Sequence, residues 1–232
     1  VVSTKVGRII VDTKKSKAAD FFIGSPIDKD SEFDFSYDGV MKSFQDSLDR
    51  LGLDNIDILH LHDPDDYFEE SRKGAIKAMI KLKNEGSVKA IGCGMNQNEM
   101  LYEYAKEGCF DCFLLAGRYT LIDQTSMEKL IPICEKNNIS LLLGGVFNSG
   151  ILINPSPNSY FDYSKLDKNW LNNAKKNKVR IPKSHESAEY WLNKAYELKQ
   201  ACEKFNIELK HAAIQFPYSN SIVASSILGM TS

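Results

Sequence analysis

Hydrophobic positions along the chain recur with two periods, one typical of amphipathic helices and one typical of buried strands. Phe44 and Leu48 recur at helical spacing, and Gly52 ends the helix that they predict. A short apolar and β-branched run, Ile56–Leu61, follows and predicts a buried strand. The chain therefore leads a helix directly into a strand, which is the repeating pattern of parallel α/β proteins.

The same alternation continues to the end of the chain. Six strands are predicted, at Val1–Lys5, Ile56–His62, Val88–Met95, Cys112–Ala116, Ser140–Val146 and Ile222–Leu228. Five helices are predicted to alternate with them, at Tyr37–Leu51, Arg72–Glu85, Glu99–Lys106, Met127–Asn137 and Ala188–Phe205. Strands that alternate with helices indicate the α/β class, with a parallel sheet covered by helices.

Two irregular stretches interrupt this rhythm. Asp12–Phe35 is charged and rich in Phe, and Leu152–Lys183 is rich in Asn, Lys and Pro. Both are longer than ordinary loops, and such stretches are usually functional lids or poorly ordered insertions. We expect one domain over residues 1–232, with an insertion at residues 152–187.

The composition favours one folded domain without a nucleic-acid or lipid partner. The chain has 232 residues, of which 43% are hydrophobic and 26% are charged. Its 29 basic and 31 acidic residues are interspersed and give a net charge of −2, so we expect neither nucleic acid nor an anionic membrane as a partner. No apolar stretch approaches the roughly 18 residues of a membrane span, and no signal-like leader precedes the first strand. A cytoplasmic location is therefore expected.

Five cysteines, an odd number without a regular framework, are typical of reduced thiols in an intracellular protein. Cys109 and Cys112 form a lone C-x-x-C pair. A zinc site needs a second pair of ligands, and a redox site needs its own βαβ setting, so we interpret the pair as packing thiols.

The strongest candidate chemistry follows the strand Ile56–His62. His62 and Asp63 lie at its carboxyl end, where parallel α/β folds bind their ligands. His60 precedes His62 by two residues and lies on the same face of the strand. Two such histidines can bind zinc together with further ligands, so a metal-dependent hydrolase is a remote alternative. His185 and His211 are poorly placed to complete a metal site. We therefore expect no metal and interpret His60 as an interior histidine.

Several segments together resemble the aldo-keto reductase superfamily. They are STKVGR (Ser3–Arg8), SLDRLGLDNIDILHLHDPD (Ser47–Asp65), GSVKAIGCGMN (Gly86–Asn96) and AAIQFPYSNSIVASSILG (Ala212–Gly229). The branch that the chain resembles in particular is that of the sugar and pyridoxal dehydrogenases, on the phrases DFSYDG (Asp34–Gly39), HDPDD and GGVFNSG (Gly144–Gly150). The resemblance implies a TIM-type (β/α)8 barrel that moves a hydride between a nicotinamide cofactor and an aldose or other carbonyl compound.

The family has four catalytic residues: an aspartate, a tyrosine, a lysine and a histidine. Lys5 matches the lysine and His62 matches the histidine. In this chemistry the tyrosine protonates the developing alkoxide, the ammonium eases loss of the phenol proton, and a neutral imidazole orients the carbonyl. The aspartate and tyrosine are expected in a segment before Val1, and about six of the eight barrel strands are present. We therefore expect an amino-terminally incomplete barrel that turns over poorly as given.

The resemblance also implies a cofactor site for NADP(H), with NAD possible. Asn96 matches the asparagine that binds the nicotinamide carboxamide. Backbone around the last two strands is expected to hold the cofactor phosphates, at Gly144, Gly145, Phe147, Asn148, Gly229, Met230 and Thr231. The basic residue that would hold a 2′-phosphate is expected after Ser232, which weakens any preference for NADP.

The chain departs from the family pattern at two strand ends. Ala116 stands where a glutamine is usual, and Gly144 aligns with the aromatic residue that normally stacks on the nicotinamide. Tyr119 or Phe147 could replace that ring. Arg118 is as well placed to reach a substrate oxygen or a phosphate as to form a surface ion pair.

Two phrases mimic family motifs at the wrong place. Asp34 and Tyr37 are too close together and follow Lys5, whereas the catalytic aspartate and tyrosine should precede it. Ile181–Ser184 resembles a phosphate-binding phrase but precedes the last helix. We interpret both as linker sequence.

An alternative of another class is a catalytically dead barrel that binds a nucleotide or a partner protein. The same residues would then hold a cofactor without hydride transfer. The sequence leaves the oligomeric state and the particular carbonyl or sugar substrate open.

Overall fold

The computed structural model of the chain describes residues 1–16, 26–156 and 188–229. Eight strands lie in these ranges: β1 Ser3–Val6, β2 Arg8–Asp12, β3 Lys29–Phe33, β4 Ile56–His62, β5 Val88–Met95, β6 Cys112–Ala116, β7 Ser140–Gly144 and β8 Val223–Ile227. The same ranges hold seven α-helices: α1 Tyr37–Leu51, α2 Phe68–Lys73, α3 Ala75–Asn84, α4 Asn98–Ala105, α5 Leu130–Asn137, α6 Ala188–Glu203 and α7 Leu209–Gln215. Short 3₁₀ turns occur at Asp65–Tyr67, Thr125–Met127 and Phe216–Ser219.

Six of the described strands form one sheet in the order β1-β4-β5-β6-β7-β8, so sheet neighbours are joined by helical connections. β4 pairs in parallel with β1 on one side and with β5 on the other. Lys5 is the Cα partner of His60, and His62 is the partner of Gly94. All six predicted strands are present, with ends that differ by a few residues.

The described residues divide into two compact units. The first comprises the described residues of Val1–Met95, Glu103–Leu114 and Asn137–Ile139, and the second comprises those of Asn96–Tyr102, Leu115–Lys136 and Ser140–Ser232. The interior of the first unit is apolar side chains of the strands and helices, including Val6, Leu59, Leu61, Met79 and Ile91. In the second unit one hydrophobic cluster joins Ile122, Ile151, Leu152, Trp191, Ala195, Leu209 and Ala213.

Helix α1 has the bounds that the hydrophobic spacing predicts. Ser36 caps its amino terminus, because the Ser36 Oγ accepts a hydrogen bond from the Gly39 N–H at 3.0 Å. Gly52 ends the helix in the left-handed conformation, with φ 64°. The apolar stripe that includes Val40, Phe44 and Leu48 is buried.

The prediction of an irregular stretch at Asp12–Phe35 was wrong at its ends. β2 and β3 form an antiparallel hairpin, with Arg8 opposite Phe33 and Asp12 opposite Lys29. β3 is held by its backbone pairing with β2 and by ring contacts, because the centre of the Phe33 ring lies 5.1 Å from that of the Tyr67 ring. The sequence of β3, KDSEF, is mostly polar and its positions do not alternate between buried and exposed. The hydrophobic pattern therefore did not predict this strand.

The prediction of one continuous helix at Arg72–Glu85 was also wrong. Two helices, α2 and α3, meet at Gly74. A Cβ on Gly74 would come within 2.8 Å of the Tyr37 backbone nitrogen and 2.7 Å of the Phe35 carbonyl oxygen. Close approach of another backbone segment therefore sets the position of the break.

No helix in the described ranges is both long enough and apolar enough to cross a membrane. All five cysteines are free thiols. Burial raises the pKa of Cys109 to about 11 and that of Cys112 to about 12, so both stay protonated at neutral pH, as packing thiols would. The predicted insertion at 152–187 lies largely outside the described residues and stays a prediction.

Candidate active site

Lys5 and His62 lie on one face of the sheet in the first unit. Lys5 is the Cα partner of His60 in the parallel pair, so both side chains leave the same face. His62 follows His60 by two residues and shares that face. The Lys5 Cε lies 3.4 Å from the point that a Cβ on Gly94 would occupy, and Gly94 is the partner of His62. The Lys5 side chain therefore extends towards the level of His62.

His62 is a neutral imidazole at physiological pH. Burial, and then the charges of Arg8 and Lys5, lower the pKa of His62 to about 4. A neutral imidazole carries one N–H donor and one lone pair. The N–H of this neutral form can donate a hydrogen bond to a carbonyl oxygen.

His60 is interior, as its pattern indicates, with 1% of its surface exposed. Burial, and then the charge of Lys5, lower the pKa of His60 to about 4. Neither of its ring nitrogens has a hydrogen-bond partner among the described residues. Within the same ranges, no group of three potential metal ligands comes together.

Asp63 and Arg8 form a pair next to His62 that the sequence did not reveal. The Arg8 Nη2 donates to the Asp63 Oδ2 at 2.9 Å, and the same oxygen lies 3.5 Å from the His62 Nε2. Burial raises the pKa of Asp63, although the charges of Arg8 and Lys5 act to lower it. Asp65, two residues further on, is more strongly affected, because burial raises its pKa to about 6.

Asn96 begins the described part of the second unit and is anchored through its backbone. Its carbonyl oxygen accepts a hydrogen bond from the Arg118 Nε at 3.0 Å. The Arg118 Nη1 lies 3.2 Å from the Asp123 Oδ2, and the Asp123 side chain is 1% exposed. Arg118 thus forms an ion pair, but with a buried carboxylate rather than at the surface, and its contact with a substrate oxygen or a phosphate stays a prediction. Asp123 was not among the predicted site residues.

The loop that follows β7 is a tight left-handed turn. Gly145 has φ 63° and Asn148 has φ 45°, and the Asn148 N–H donates to the Gly145 carbonyl oxygen at 2.8 Å. The Gly117 N–H donates to the Gly144 carbonyl oxygen at 2.9 Å, which holds the start of the loop. Phe147 is partly buried against the hydrophobic cluster of this unit.

The remaining predicted site residues are less informative. Tyr119 is buried, and its ring lies 5.3 Å from the ring of Phe216, so it is occupied in packing. A Cβ on Gly229 would meet nothing within 4 Å. Met230, Thr231 and the phrase at Ile181–Ser184 lie outside the described residues.

Comparison with known proteins gives consistent results. The Aldo/keto reductase family model matches residues 2–232. The chain is 31% identical to a pyridoxal 4-dehydrogenase of Microbacterium luteolum, over 100% of this chain and 68% of the relative. It is 32% identical to a D-threo-aldose 1-dehydrogenase of a Pseudomonas species, over 99% of this chain and 65% of the relative. The chain thus spans about two thirds of the length of these curated relatives.

Solved structures agree on the fold. A glycerol dehydrogenase from Gluconobacter oxydans superposes with a TM-score of 0.65 at 20% identity, over 97% of this chain and 62% of that one. An aldo-keto reductase from Bacillus halodurans in its holo form gives 0.59 at 22% identity, over 86% and 59%. With six described strands in parallel order, the predicted fold class of a partial TIM-type (β/α)8 barrel is confirmed.

Proposed function

The chain belongs to the aldo/keto reductase family, and from that premise we propose that it transfers a hydride between a nicotinamide cofactor and the carbonyl of an aldose or another aldehyde. The placement of Lys5 and His62 is the observation that carries the proposal. Both side chains lie on one face of the sheet, and His62 lies at the carboxyl end of β4. In TIM barrels, this end of the strands bears the active site.

These two residues offer the interactions that carbonyl reduction needs. A bound NAD(P)H would supply the hydride to the carbonyl carbon, and the carbonyl oxygen would take up the C=O π electrons and a proton from the tyrosine of the family pattern. Neutral His62 donates a hydrogen bond to that oxygen and orients it. The Lys5 ammonium stabilises negative charge on the proton donor, which in this family is a tyrosine.

The described residues also fit a nicotinamide nucleotide. The Asn96 side chain is exposed while its backbone is held, so its amide can pair with a carboxamide. Gly144 and Gly145 carry no side chain, which favours close approach of a phosphate to their backbone, and a Cβ on Gly144 would meet only Ala116, at 3.8 Å. We propose NADP as the cofactor, with NAD as the competitor.

Cofactor binding is tested first, by titrating the purified chain with NADPH and NADH and following the nicotinamide fluorescence. Turnover is then measured as NADPH oxidation with an aldose, with pyridoxal and with a small aldehyde. The 232 residues supply no aspartate and tyrosine ahead of Lys5 in the family pattern. Both assays are therefore repeated with a segment carrying these residues joined before Val1, and we expect turnover to be faster in that form.

Two substitutions separate chemistry from binding. In the form that turns over, Lys5→Met and His62→Gln should each lower kcat by roughly 10²–10⁴-fold while NADPH still binds. The matched controls are Lys14→Met and His211→Gln, which change exposed residues of the same types. Binding without turnover in both forms would favour the alternative of a catalytically dead barrel, and no binding in either form would overturn the proposal.

A further inference from the structure

Asp63 directly follows β4 and has an unusual backbone conformation. Its φ is 47°, in the left-handed region, and its N–H donates to the Gly94 carbonyl oxygen at 3.0 Å. Aspartate tolerates this region better than most residues that carry a Cβ. The side chain is thereby placed so that the Asp63 Oδ2 lies 3.5 Å from the His62 Nε2.

Arg8 holds that carboxylate from the hairpin. The Arg8 Nη2 donates to the Asp63 Oδ2 at 2.9 Å, and the Arg8 guanidinium lies 4.7 Å from the centre of the Phe33 ring. Arg8 follows Gly7, whose φ is 99° and whose missing Cβ would overlap the Phe35 ring. The backbone conformation at Gly7 and the ring of Phe33 therefore help to fix the orientation of the Arg8 side chain that binds Asp63.

We propose that Asp63, held by Arg8, is a positioning residue that keeps the proton of neutral His62 on Nε2. An ionised carboxylate only accepts hydrogen bonds, so the ring atom that faces it is favoured as N–H and disfavoured as a lone pair. The 3.5 Å separation exceeds an ordinary hydrogen bond, so this N–H stays available to a carbonyl oxygen. This inference rests on the proposed function, in which His62 is the donor.

The test is a nitrogen-15 NMR measurement of the histidine tautomer in the cofactor-free chain at neutral pH. Protonated and unprotonated imidazole nitrogens resonate in separate ranges, and the signals of His62 are those that disappear in His62→Gln. In the parent protein, Nε2 should carry the proton. In Asp63→Asn and Asp63→Gly, which both tolerate a positive φ, the ratio of the Nε2–H tautomer to the Nδ1–H tautomer should fall about tenfold.

The control is Asp12→Asn, which removes another ion-paired carboxylate, the partner of Lys29 on the same hairpin. It should leave the His62 tautomer unchanged. The proposal is overturned when both Asp63 variants keep the parent's tautomer, or when Asp12→Asn shifts it equally. Because the measurement needs neither cofactor nor turnover, its failure is distinguishable from failure of the proposed oxidoreductase activity.

Discussion

Lys5 of β1 stands directly opposite His60 of β4, so an ammonium group and a buried imidazole share one face of the sheet. The imidazole cannot easily accept a proton there, because burial, and then Lys5, lower the pKa of His60 to about 4. The unfolded chain imposes no such penalty, and its histidines titrate near the ordinary value of 6.5. The pairing therefore makes folding sensitive to acid.

We predict that His60 lowers the free energy of unfolding as the pH falls from about 6.5 towards 4. Between these two pH values, His60 is protonated in the unfolded state but not in the folded state. Its contribution to stability is therefore complete above pH 6.5 and is lost as the pH falls towards 4. Between pH 7 and pH 4.5, the chain should lose about 2 kcal/mol more than His60→Gln. Urea unfolding of both proteins measures this difference. Asp65 and His62 also titrate in this window, but both proteins contain them, so parallel pH profiles would contradict the prediction.

Gly92 is predicted to be intolerant of a side chain. A Cβ there would overlap the His60 Nδ1 and would come within 2.5 Å of the Cys112 carbonyl oxygen, a backbone atom that cannot rotate away. Gly92→Ala should lower the free energy of unfolding by about 1–3 kcal/mol. Gly144→Ala is the matched control, because the atom nearest to a Cβ at position 144 would be the Ala116 Cβ, at 3.8 Å. Equal urea midpoints for the two variants would refute the steric argument.

Arg8→Gln is predicted to raise two pKa values together. The charge of Arg8 acts to lower the pKa of both His62 and Asp63, so removing it should move both upwards. NMR titration of the His62 ring protons should show its midpoint rise from about 4 towards 6.5. Lys29→Gln removes another cation of the same hairpin and serves as the control. A His62 midpoint that moves equally in both variants would assign the effect to net charge.

Arg118→Met is predicted to weaken NADPH binding about fivefold, because the Asn96 carbonyl oxygen loses a charged donor that anchors it. Nicotinamide fluorescence gives the dissociation constant. The substitution also leaves the buried Asp123 carboxylate without this guanidinium, so urea unfolding is measured in parallel. An unchanged Kd with a lowered urea midpoint would show that Arg118 only stabilises the fold.

Local patterns predicted most of the elements, and long-range contacts explain the errors. Helix α1 was predicted at its correct bounds, because its apolar stripe and its terminal Gly52 act within the helix itself. The polar strand β3 was missed, since its partner lies in another segment. The break at Gly74 likewise depends on the backbone at Tyr37, which no period within the helix records.

Some residues of the candidate site were predicted from the sequence, and others were found only in the structure. Resemblance to a family pointed to Lys5 and His62, and the structure places both on one face, while their catalytic roles stay predictions. In the sequence, Arg8 stands out only as the last residue of the family-like segment Ser3–Arg8. Its ion pair with Asp63 depends on the hairpin and on a strand end far along the chain, so no local pattern could reveal it.

Two hydrogen bonds flank the pairing of β1 with β4. The Val2 N–H donates to the Asp57 Oδ2, and the Arg8 Nη2 donates to the Asp63 Oδ2; each bond joins residues 55 positions apart. A loop of that length must close before any of these contacts forms, whereas helix α1 inside the loop needs only its neighbours. We therefore expect the face of the sheet that carries Lys5 and His62 to assemble late in folding. A nascent chain that has already made its helices would still lack the alignment of Lys5 with His62.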